Sequence, residues 1–396
     1  MKHTIRFYTL GFREVIVLNK KALKRIIALV FIIFFIIIVI LNVITPSKDF
    51  SEQENRMLEQ RPKFSVKSLL KGDFTKKYEK YISDQFAFRD FWVELKSNCD
   101  KLMGKKESND VYLGKDDYLL EKFKNPQDKD IEDRVKALNK LDNESKELKK
   151  YVMIAPTSVE INSDKLPRYV VEPSQKDVIS KFEDGLNKDI EFVDIYNKLK
   201  SKNDEYIYYK TDHHWTTDGA YYAYEELSKY MGFTATPKSK FEKMKVTDEF
   251  LGSLYSKGNF RNVEADDINL YKYKNRQDKN IKVEYTLEDK KSESLYEMKN
   301  LEKKDKYTVF QDGNHPLVKI TTESDEDRKL IILKDSYANS FVPFLIEHFS
   351  EIYMVDLRYY KEDLSKLIEE NEIGEMLMLY NANTYFQDMS VKNIKY

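Results

Sequence analysis

The C-terminal part of the chain alternates short apolar runs with helical segments, and this pattern restricts the fold more than any other feature. Apolar runs at residues 330–333, 352–355 and 376–379 predict three buried strands. Residues 337–349 and 364–371, which lie between them, predict two helices. Strands joined by such crossover helices pair in parallel. We therefore expect an α/β fold, a three-layer sandwich with helices on both faces of a parallel sheet.

Polar side chains follow all three of these predicted strands. Ser336 comes after the first strand, Arg358 after the second and Asn381 after the third. In open parallel sheets, ligands bind beyond the carboxyl ends of the strands. The sequence therefore predicts a functional site at this edge of the sheet.

Further elements precede this region. Three apolar runs predict strands at residues 151–155, 192–195 and 207–209, and three amphipathic segments predict helices at residues 131–150, 182–190 and 217–231. Two apolar runs that flank residues 115–117 predict a β-hairpin. Residues 241–320 contain short strand patterns and charged loops, and we expect them to form an insertion.

The N-terminal part carries one long apolar segment. Residues 26–44 are apolar apart from Asn42, and a helix of this length spans about 30 Å, the thickness of a bilayer core. Basic residues precede it, which favours a cytoplasmic N-terminus: Lys20, Lys21, Lys24 and Arg25. A cleaved signal peptide is the alternative. Because the run is long and no small-residue cleavage site follows it, we expect an uncleaved anchor.

This anchor predicts the organisation of the whole chain. Residues 1–25 would form a cytoplasmic basic segment and residues 26–44 the transmembrane anchor. Polar, irregular residues 45–65 would form a stalk, and residues 66–396 a body outside the cell.

Composition excludes two classes of function. The 68 carboxylates nearly balance the 67 Lys and Arg residues, so no overall positive field favours nucleic acid. Cys99 is the only cysteine, so the chain can form neither an internal disulfide nor a thiolate metal cluster. We expect Cys99 to be a small buried apolar residue.

The most reactive motif is Thr-Asp-His-His-Trp at residues 211–215. In an extended segment, residues two apart point to the same side, so Asp212 and His214 would lie together and His213 would face elsewhere. A carboxylate beside an imidazole is the arrangement that activates a serine nucleophile. A mononuclear metal site is the other specific interpretation, but no further His or Cys ligand is evident, and we expect no metal and no cofactor.

Ser336 could supply the nucleophile that this pair requires. It lies between a predicted strand and a predicted helix, where free backbone N–H groups favour an oxyanion. Alternatively, Asp335 or Ser336 only caps the helix that begins at Tyr337. From position alone, both interpretations stand.

Two motifs resemble those of a known family. Thr-Asp-His-His-Trp at residues 211–215 and Lys-Asp-Ser-Tyr-Ala-Asn-Ser at residues 334–340 are similar to motifs of the DHHW family, which belongs with the SGNH-hydrolase-like proteins related to alginate O-acetyltransferases. Further similar motifs cover most of the body: Glu-Asn-Arg at 54–56, Asp-Gln-Phe-Ala-Phe-Arg at 84–89, Val-Tyr-Leu-Gly at 111–114, Ala-Pro-Thr-Ser at 155–158 and Asp-Leu-Arg-Tyr-Tyr at 356–360. The resemblance therefore implies an SGNH-hydrolase-like fold.

The resemblance also implies roles for individual residues. Ser336 would be the nucleophile, His214 its base and Asp212 the group that orients the base. As in such relatives, the Asp-x-His pair precedes the serine, the reverse of ordinary SGNH hydrolases. Relatives often carry glycine at the position of Lys334.

Four further residues are candidates for contacts with substrate. Arg358 and, more weakly, Asn314 are candidates to bind the acyl oxygen or a glycan. Tyr337 and Trp215 are candidates to stack on sugar rings, although core packing is the more usual role of such aromatic residues.

As a function, the resemblance implies a membrane-anchored O-acyltransferase, with acetyl as the expected group, that modifies an extracellular or cell-wall polysaccharide. Two alternatives remain: a carbohydrate acetyl esterase with the same three residues, and a non-catalytic protein that binds or assembles cell-wall polysaccharide. The resemblance further implies a membrane-bound O-acyltransferase partner that passes acyl groups across the membrane.

Overall fold

A computed structural model describes residues 20–51, 56–274 and 281–394, with side chains from residue 22 onward. The chain divides into two compact units, Met1–Leu95 and Lys96–Tyr396. Most of the predicted basic segment, residues 1–19, and the Glu54-Asn55 pair of the 54–56 motif lie outside the described residues.

The first unit begins with a long apolar helix, α1 (Lys20–Ile44). Its segment Ala22–Ile44 is long and apolar enough to cross a membrane. Short elements follow: β1 (Phe50–Ser51), β2 (Arg56–Met57), α2 (Val66–Leu70), α3 (Asp73–Asp84) and α4 (Arg89–Leu102), which continues into the second unit. The predicted stalk therefore contains a small antiparallel pair, β1–β2, and residues 66–95 belong to the first unit rather than to the body.

One prediction about α4 is wrong. Cys99 is exposed on this helix, not buried. Leu102 and Met103, three and four residues further along the chain, are exposed as well, so no core covers this side.

Within its described residues, the second unit contains thirteen strands: β3 (Glu107–Ser108), β4 (Val111–Leu113), β5 (Leu119–Glu121), β6 (Lys149–Ala155), β7 (Ile190–Phe192), β8 (Phe241–Phe250), β9 (Asp266–Tyr273), β10 (Lys282–Tyr285), β11 (Lys290–Ser292), β12 (Leu317–Thr321), β13 (Lys329–Lys334), β14 (Glu351–Val355) and β15 (Glu375–Asn381). Eight of them form the main sheet in the order β11-β10-β12-β14-β13-β15-β6-β7. The run from β14 to β7 is parallel, and β12, β10 and β11 extend it antiparallel. The predicted parallel pairing of the C-terminal strands is thus confirmed.

Helices cover both faces of this sheet: α5 (Asp128–Glu144), α6 (Ser158–Ile161), α7 (Gln175–Glu183), α8 (Tyr196–Lys200), α9 (Thr217–Met231), α10 (Ser253–Gly258), α11 (Tyr337–Phe341), α12 (Leu364–Glu370), α13 (Ala382–Gln387) and α14 (Met389–Lys392). Strand β13 shows why two cores form. Leu330 and Ile332 pack into the core beneath α9, whereas Ile331 and Leu333 pack into the opposite core beneath α5 and α7. The predicted three-layer α/β sandwich is confirmed.

Four elements differ from prediction. The helix predicted at residues 182–190 lies earlier in the chain, at Gln175–Glu183, where the side chain of Ser174 caps its N-terminus. The helix after β13 is α-helical only to Phe341, because Pro343 lacks the N–H that would continue it, and a 3₁₀ turn, Val342–Phe344, follows. The strand predicted at residues 207–209 is a single β-bridge between Tyr208 and Trp215. Residues 241–320, expected as an insertion, contribute β10, β11 and β12 to the main sheet.

Candidate active site

The bridge between Tyr208 and Trp215 closes a tight loop that carries the Asp-His-His motif. Inside this loop the backbone N–H of His214 donates to Asp212 Oδ1 (3.0 Å), and this bond bends the chain. Asp212 and His214 therefore lie together because of a turn, not because the segment is extended.

The same turn overturns the expectation that His213 faces elsewhere. Its ring lies beside that of His214, with 3.8 Å between the ring centroids. His213 Nδ1 is 2.6 Å from Ser253 Oγ on α10, which fixes the ring in this position.

The structure brings together three of the predicted site residues. His214 Nδ1 lies 2.5 Å from Asp212 Oδ1, and His214 Nε2 lies 2.6 Å from Ser336 Oγ. Asp212 is 3% exposed and His214 5%, so water does not compete for these bonds. The geometry is that of a carboxylate orienting an imidazole whose second nitrogen faces a hydroxyl.

Asp212 is held from its other side by residues that sequence reasoning missed. The backbone N–H of Ser253 donates to Asp212 Oδ2 (2.7 Å). A Cβ added to Gly252 would lie 2.3 Å from the Cβ of Asp212, so only glycine permits this approach. The dipeptide Gly252-Ser253 is too common to predict a contact with Asp212 from the sequence, so only the folded chain shows this contact.

Asp266, at the start of β9, anchors the base of the loop. Its buried carboxylate accepts hydrogen bonds from Tyr206 Oη, from Lys210 N (2.8 Å) and from Thr211 N (2.7 Å). Burial raises the pKa of Asp266. Nothing in the local sequence around Asp266 distinguishes it from the many exposed acidic residues, so the sequence does not predict this role.

Tyr307 supports the imidazole from the face. Its ring stacks on His214 with 3.7 Å between centroids and an interplanar angle of 8°. Its hydroxyl donates to Ser336 O (3.1 Å) and also lies 3.1 Å from Ser340 Oγ, whose own hydroxyl can donate to it. Tyr307 contacts both the ring of His214 and the backbone of Ser336, so it helps to fix the position of His214 relative to Ser336.

Ser336 itself follows β13 and directly precedes α11. Its side chain makes no capping bond to this helix. Asp335 does so instead, accepting from Tyr337 N (2.9 Å) with Oδ1 and from Asn381 N (2.9 Å) with Oδ2. Burial raises the pKa of Asp335 to about 6. Among the described residues no acceptor takes the backbone N–H of Ser336, which leaves this donor available to an oxyanion.

Lys334 directly precedes Asp335 and Ser336 in the chain and is almost fully buried. Its ammonium donates to Asn314 Oδ1 (2.8 Å) and Asn339 Oδ1 (2.7 Å). Burial lowers the pKa of Lys334 to about 8. Because an ammonium can only donate, both amide oxygens must face it, so the amide N–H groups of Asn314 point away from it.

The remaining predicted contact residues have other partners. The guanidinium of Arg358 forms a fork with Asp356, at 2.8 and 2.6 Å, and this pairing raises its pKa. Neither Arg358 nor Asn314 hydrogen-bonds Ser336 among the contacts of the described residues. Trp215 and Tyr337 are fully buried and pack against each other, so the expectation that they stack on sugar rings is wrong.

The protonation states suit proton transfer. Burial, and next the neighbouring His213, lower the pKa of His214 to about 4, although Asp212 opposes this shift. Burial raises the pKa of Asp212, but the His214 and His213 rings and its hydrogen bonds lower it more, so its net pKa is below the usual value. At neutral pH the imidazole is therefore an uncharged acceptor beside an ionised carboxylate.

The same residues form the cluster most suited to a metal ion within the described part of the chain. Ligand atoms of Asp212, His213 and His214 lie within 4.8 Å of one another. However, His214 already uses one ring nitrogen for Asp212 and the other for Ser336. A metal would have to displace one of these bonds, so the cluster fits proton transfer better.

A parallel α/β sandwich with a serine, a histidine and an aspartate joined in series at its carboxyl edge defines an SGNH-hydrolase-like protein. The model of the DHHW protein family matches residues 108–355, and the chain belongs to this family.

Several solved structures are similar to this chain. A DHHW family protein from Eubacterium siraeum is 25% identical with a TM-score of 0.64, over 73% of this chain and 97% of its own. Bacillus cereus PatB1, solved with a sulfonyl adduct, is 21% identical with a TM-score of 0.60, over 72% of this chain and 100% of its own. The O-acetyltransferase domain of Pseudomonas putida AlgJ is 14% identical with a TM-score of 0.43, over 72% of this chain and 98% of its own. No curated protein matches the chain significantly.

Proposed function

We propose that this protein is a serine-dependent O-acyltransferase that acetylates an extracellular or cell-wall polysaccharide. The observation that carries the proposal is the continuous series of short contacts from Asp212 through His214 to Ser336. Membership of the DHHW family, with its relation to alginate O-acetyltransferases, supports the choice of acetyl and of a polysaccharide acceptor.

The first half-reaction would load the serine. Ser336 Oγ attacks the carbonyl carbon of an acyl ester donor, and its proton passes to His214 Nε2. The carbonyl oxygen becomes an oxyanion within reach of the Ser336 N–H. When this intermediate collapses, the bond to the donor oxygen breaks and that oxygen takes the proton from His214, leaving an acyl-serine.

The second half-reaction would unload it. A sugar hydroxyl attacks the acyl-serine and gives its proton to His214, which returns it to Ser336 Oγ as the ester breaks. Asp212 keeps the protonated nitrogen of His214 on its own side throughout and stabilises the imidazolium. An esterase would follow the same path with water in place of the sugar.

The decisive experiment is an assay of the full chain, purified in detergent, with an activated acetyl ester. We expect slow release of acetate, an acetyl adduct on Ser336 by mass spectrometry, and faster turnover when an acceptor polysaccharide is added. Hydrolysis that no glycan accelerates would support the esterase instead. A chelator should leave the rate unchanged, because no step uses a metal. The absence of both turnover and adduct with every ester would favour a non-catalytic polysaccharide-binding protein.

We further propose that α1 remains attached as a membrane anchor, with the body outside the cell and a membrane-bound O-acyltransferase as the source of acyl groups. The apolar segment Ala22–Ile44 and the basic residues before it support this orientation. Protease added to intact cells should digest the body and spare a short N-terminal fragment. Recovery of a soluble chain that begins after Thr45 would contradict the anchor.

A further inference from the structure

The first unit exposes a row of large apolar side chains beside α1. The side chain of Phe88 is 65% exposed, that of Phe91 56%, that of Trp92 36% and that of Leu95 43%. We name these four residues the aromatic face. Steps of three and four residues place them on one side of α4 and the turn before it. A contiguous apolar surface of this kind usually marks a contact with a partner or a membrane.

The opposite side of the helix is charged. Arg89, Asp90 and Glu94 lie at the intervening positions. Phe88 adopts φ 55°, a conformation that costs a bulky residue free energy, and this turn directs the chain into α4. The element is therefore amphipathic, as are helices that lie in the plane of a bilayer surface.

A hydrogen bond fixes the depth of the aromatic face relative to α1. Asn42, the one polar side chain in the apolar run, accepts from the backbone N–H of Ala87 at 3.0 Å. Its own amide donates to Ile38 O at 2.8 Å. Asn42 precedes the end of α1 by two residues, so at about 1.5 Å per residue Ala87 lies at the level of the last helical turn.

Further contacts tie the same turn to the chain that leaves α1. Lys48 N donates to Gln85 Oε1 (2.9 Å), and Gln85 Nε2 donates back to Lys48 O (2.8 Å). A cavity of about 560 Å³ opens at this corner, with an apolar lining that includes Phe50, Leu58 and Phe86. The turn that precedes the aromatic face is thus hydrogen-bonded both to the last turns of α1 and to the chain that follows α1.

We infer that the aromatic face lies in the interfacial layer of the bilayer leaflet into which the C-terminal end of α1 emerges. When α1 spans a membrane, its last turn lies where hydrocarbon meets headgroups, and the bond from Ala87 to Asn42 places Phe88 at that level. Trp and other aromatic side chains prefer this layer. The contact gives the chain a second membrane attachment beside α1, which restricts the tilt and rotation of the helix.

The inference rests on the proposed anchor but not on the proposed chemistry. Two other environments of the aromatic face compete with it. A second copy or another protein would cover the same side chains without any lipid contact. Open water would leave them solvated. These alternatives differ in which quencher reaches Trp92.

Tryptophan fluorescence can separate them, because the chain has two tryptophans and the other, Trp215, is fully buried. The full chain is placed in nanodiscs of phosphatidylcholine and phosphatidylglycerol that contain doxyl-labelled lipids. Subtracting the emission of Trp92→Phe leaves the Trp92 signal. We expect strong quenching by a doxyl group near the headgroup, weak quenching by one at the chain end, and little quenching by aqueous acrylamide.

Paired variants test the origin of the signal. Phe88→Leu with Phe91→Leu keeps the face apolar and should keep the quenching. Phe88→Asp with Phe91→Asp should shift Trp92 emission to the red and make it accessible to acrylamide. Quenching of the wild type by acrylamide alone would show that the face is in water. Protection from both quenchers would show that protein covers it, and either result overturns the inference.

Discussion

Replacing Ser336 with alanine should lower the rate of acetyl transfer by about 10⁴-fold or more and abolish the covalent adduct. The side chain supplies the only hydroxyl that contacts His214 Nε2 among the described residues, so nothing nearby can replace it. The fold should remain, because the variant loses one hydrogen bond, worth about 1 kcal/mol of unfolding free energy. Steady-state rates, intact-protein mass and thermal unfolding measure the three quantities.

The matched control is Ser201→Ala. Ser201 is an exposed serine whose hydroxyl donates to Lys198 O, at the end of α8. The Ser201→Ala variant should transfer acetyl at the wild-type rate and still form the acetyl adduct on Ser336. A sulfonyl fluoride should likewise label the wild type and Ser201→Ala but not Ser336→Ala. If Ser336→Ala transferred acetyl at the wild-type rate, the proposed nucleophile would be wrong.

The second large effect is expected for Asp212→Asn, which should reduce kcat by about 10³- to 10⁴-fold. Both carboxylate oxygens accept from N–H donors: Oδ1 from His214 N and Nδ1, and Oδ2 from Ser253 N. In either orientation, the amide of asparagine would turn its NH₂ group towards an N–H donor. His214 would then lose the orientation in which Nε2 can accept a proton, and pre-steady-state acylation rates should show the loss.

A matched control isolates the effect of Asp212→Asn. Asp267→Asn changes an exposed carboxylate that pairs with Lys245, and it should leave kcat unchanged.

His213→Asn should reduce kcat much less than Asp212→Asn, but it should move the acid limb of the pH profile to higher pH. The sign follows because His213 lowers the pKa of His214, and activity requires neutral His214 and falls as pH drops through that pKa. An unchanged acid limb would contradict the coupling between the two rings.

Much of the fold could be predicted from local patterns. The strands β13, β14 and β15 and the helices between them follow from apolar runs and helical periodicity, and their parallel pairing follows from the crossovers. Gly232 ends α9 in the left-handed conformation as a glycine stop should. These features depend on residues close in sequence, so one sequence suffices to recognise them.

The catalytic candidates could be named from the sequence, but the environment of each could not. Gly252 and Tyr307 belong to a segment that reads as an insertion, yet they contact Asp212 and stack on His214. The position of His213 was predicted wrongly, because alternation holds for extended chain and the loop is bent by its own hydrogen bond.

The sequence by itself determined which residues can react, which segments form the parallel sheet and where an apolar helix long enough for a membrane lies. Only the tertiary structure decided that Ser336 meets His214, a residue 122 positions earlier, and that Trp215 and Tyr337 are packing residues rather than sugar-binding ones. The physical reason is that secondary structure follows from periodicity within a few residues. The direction and exposure of a side chain depend instead on which distant segments pack against it.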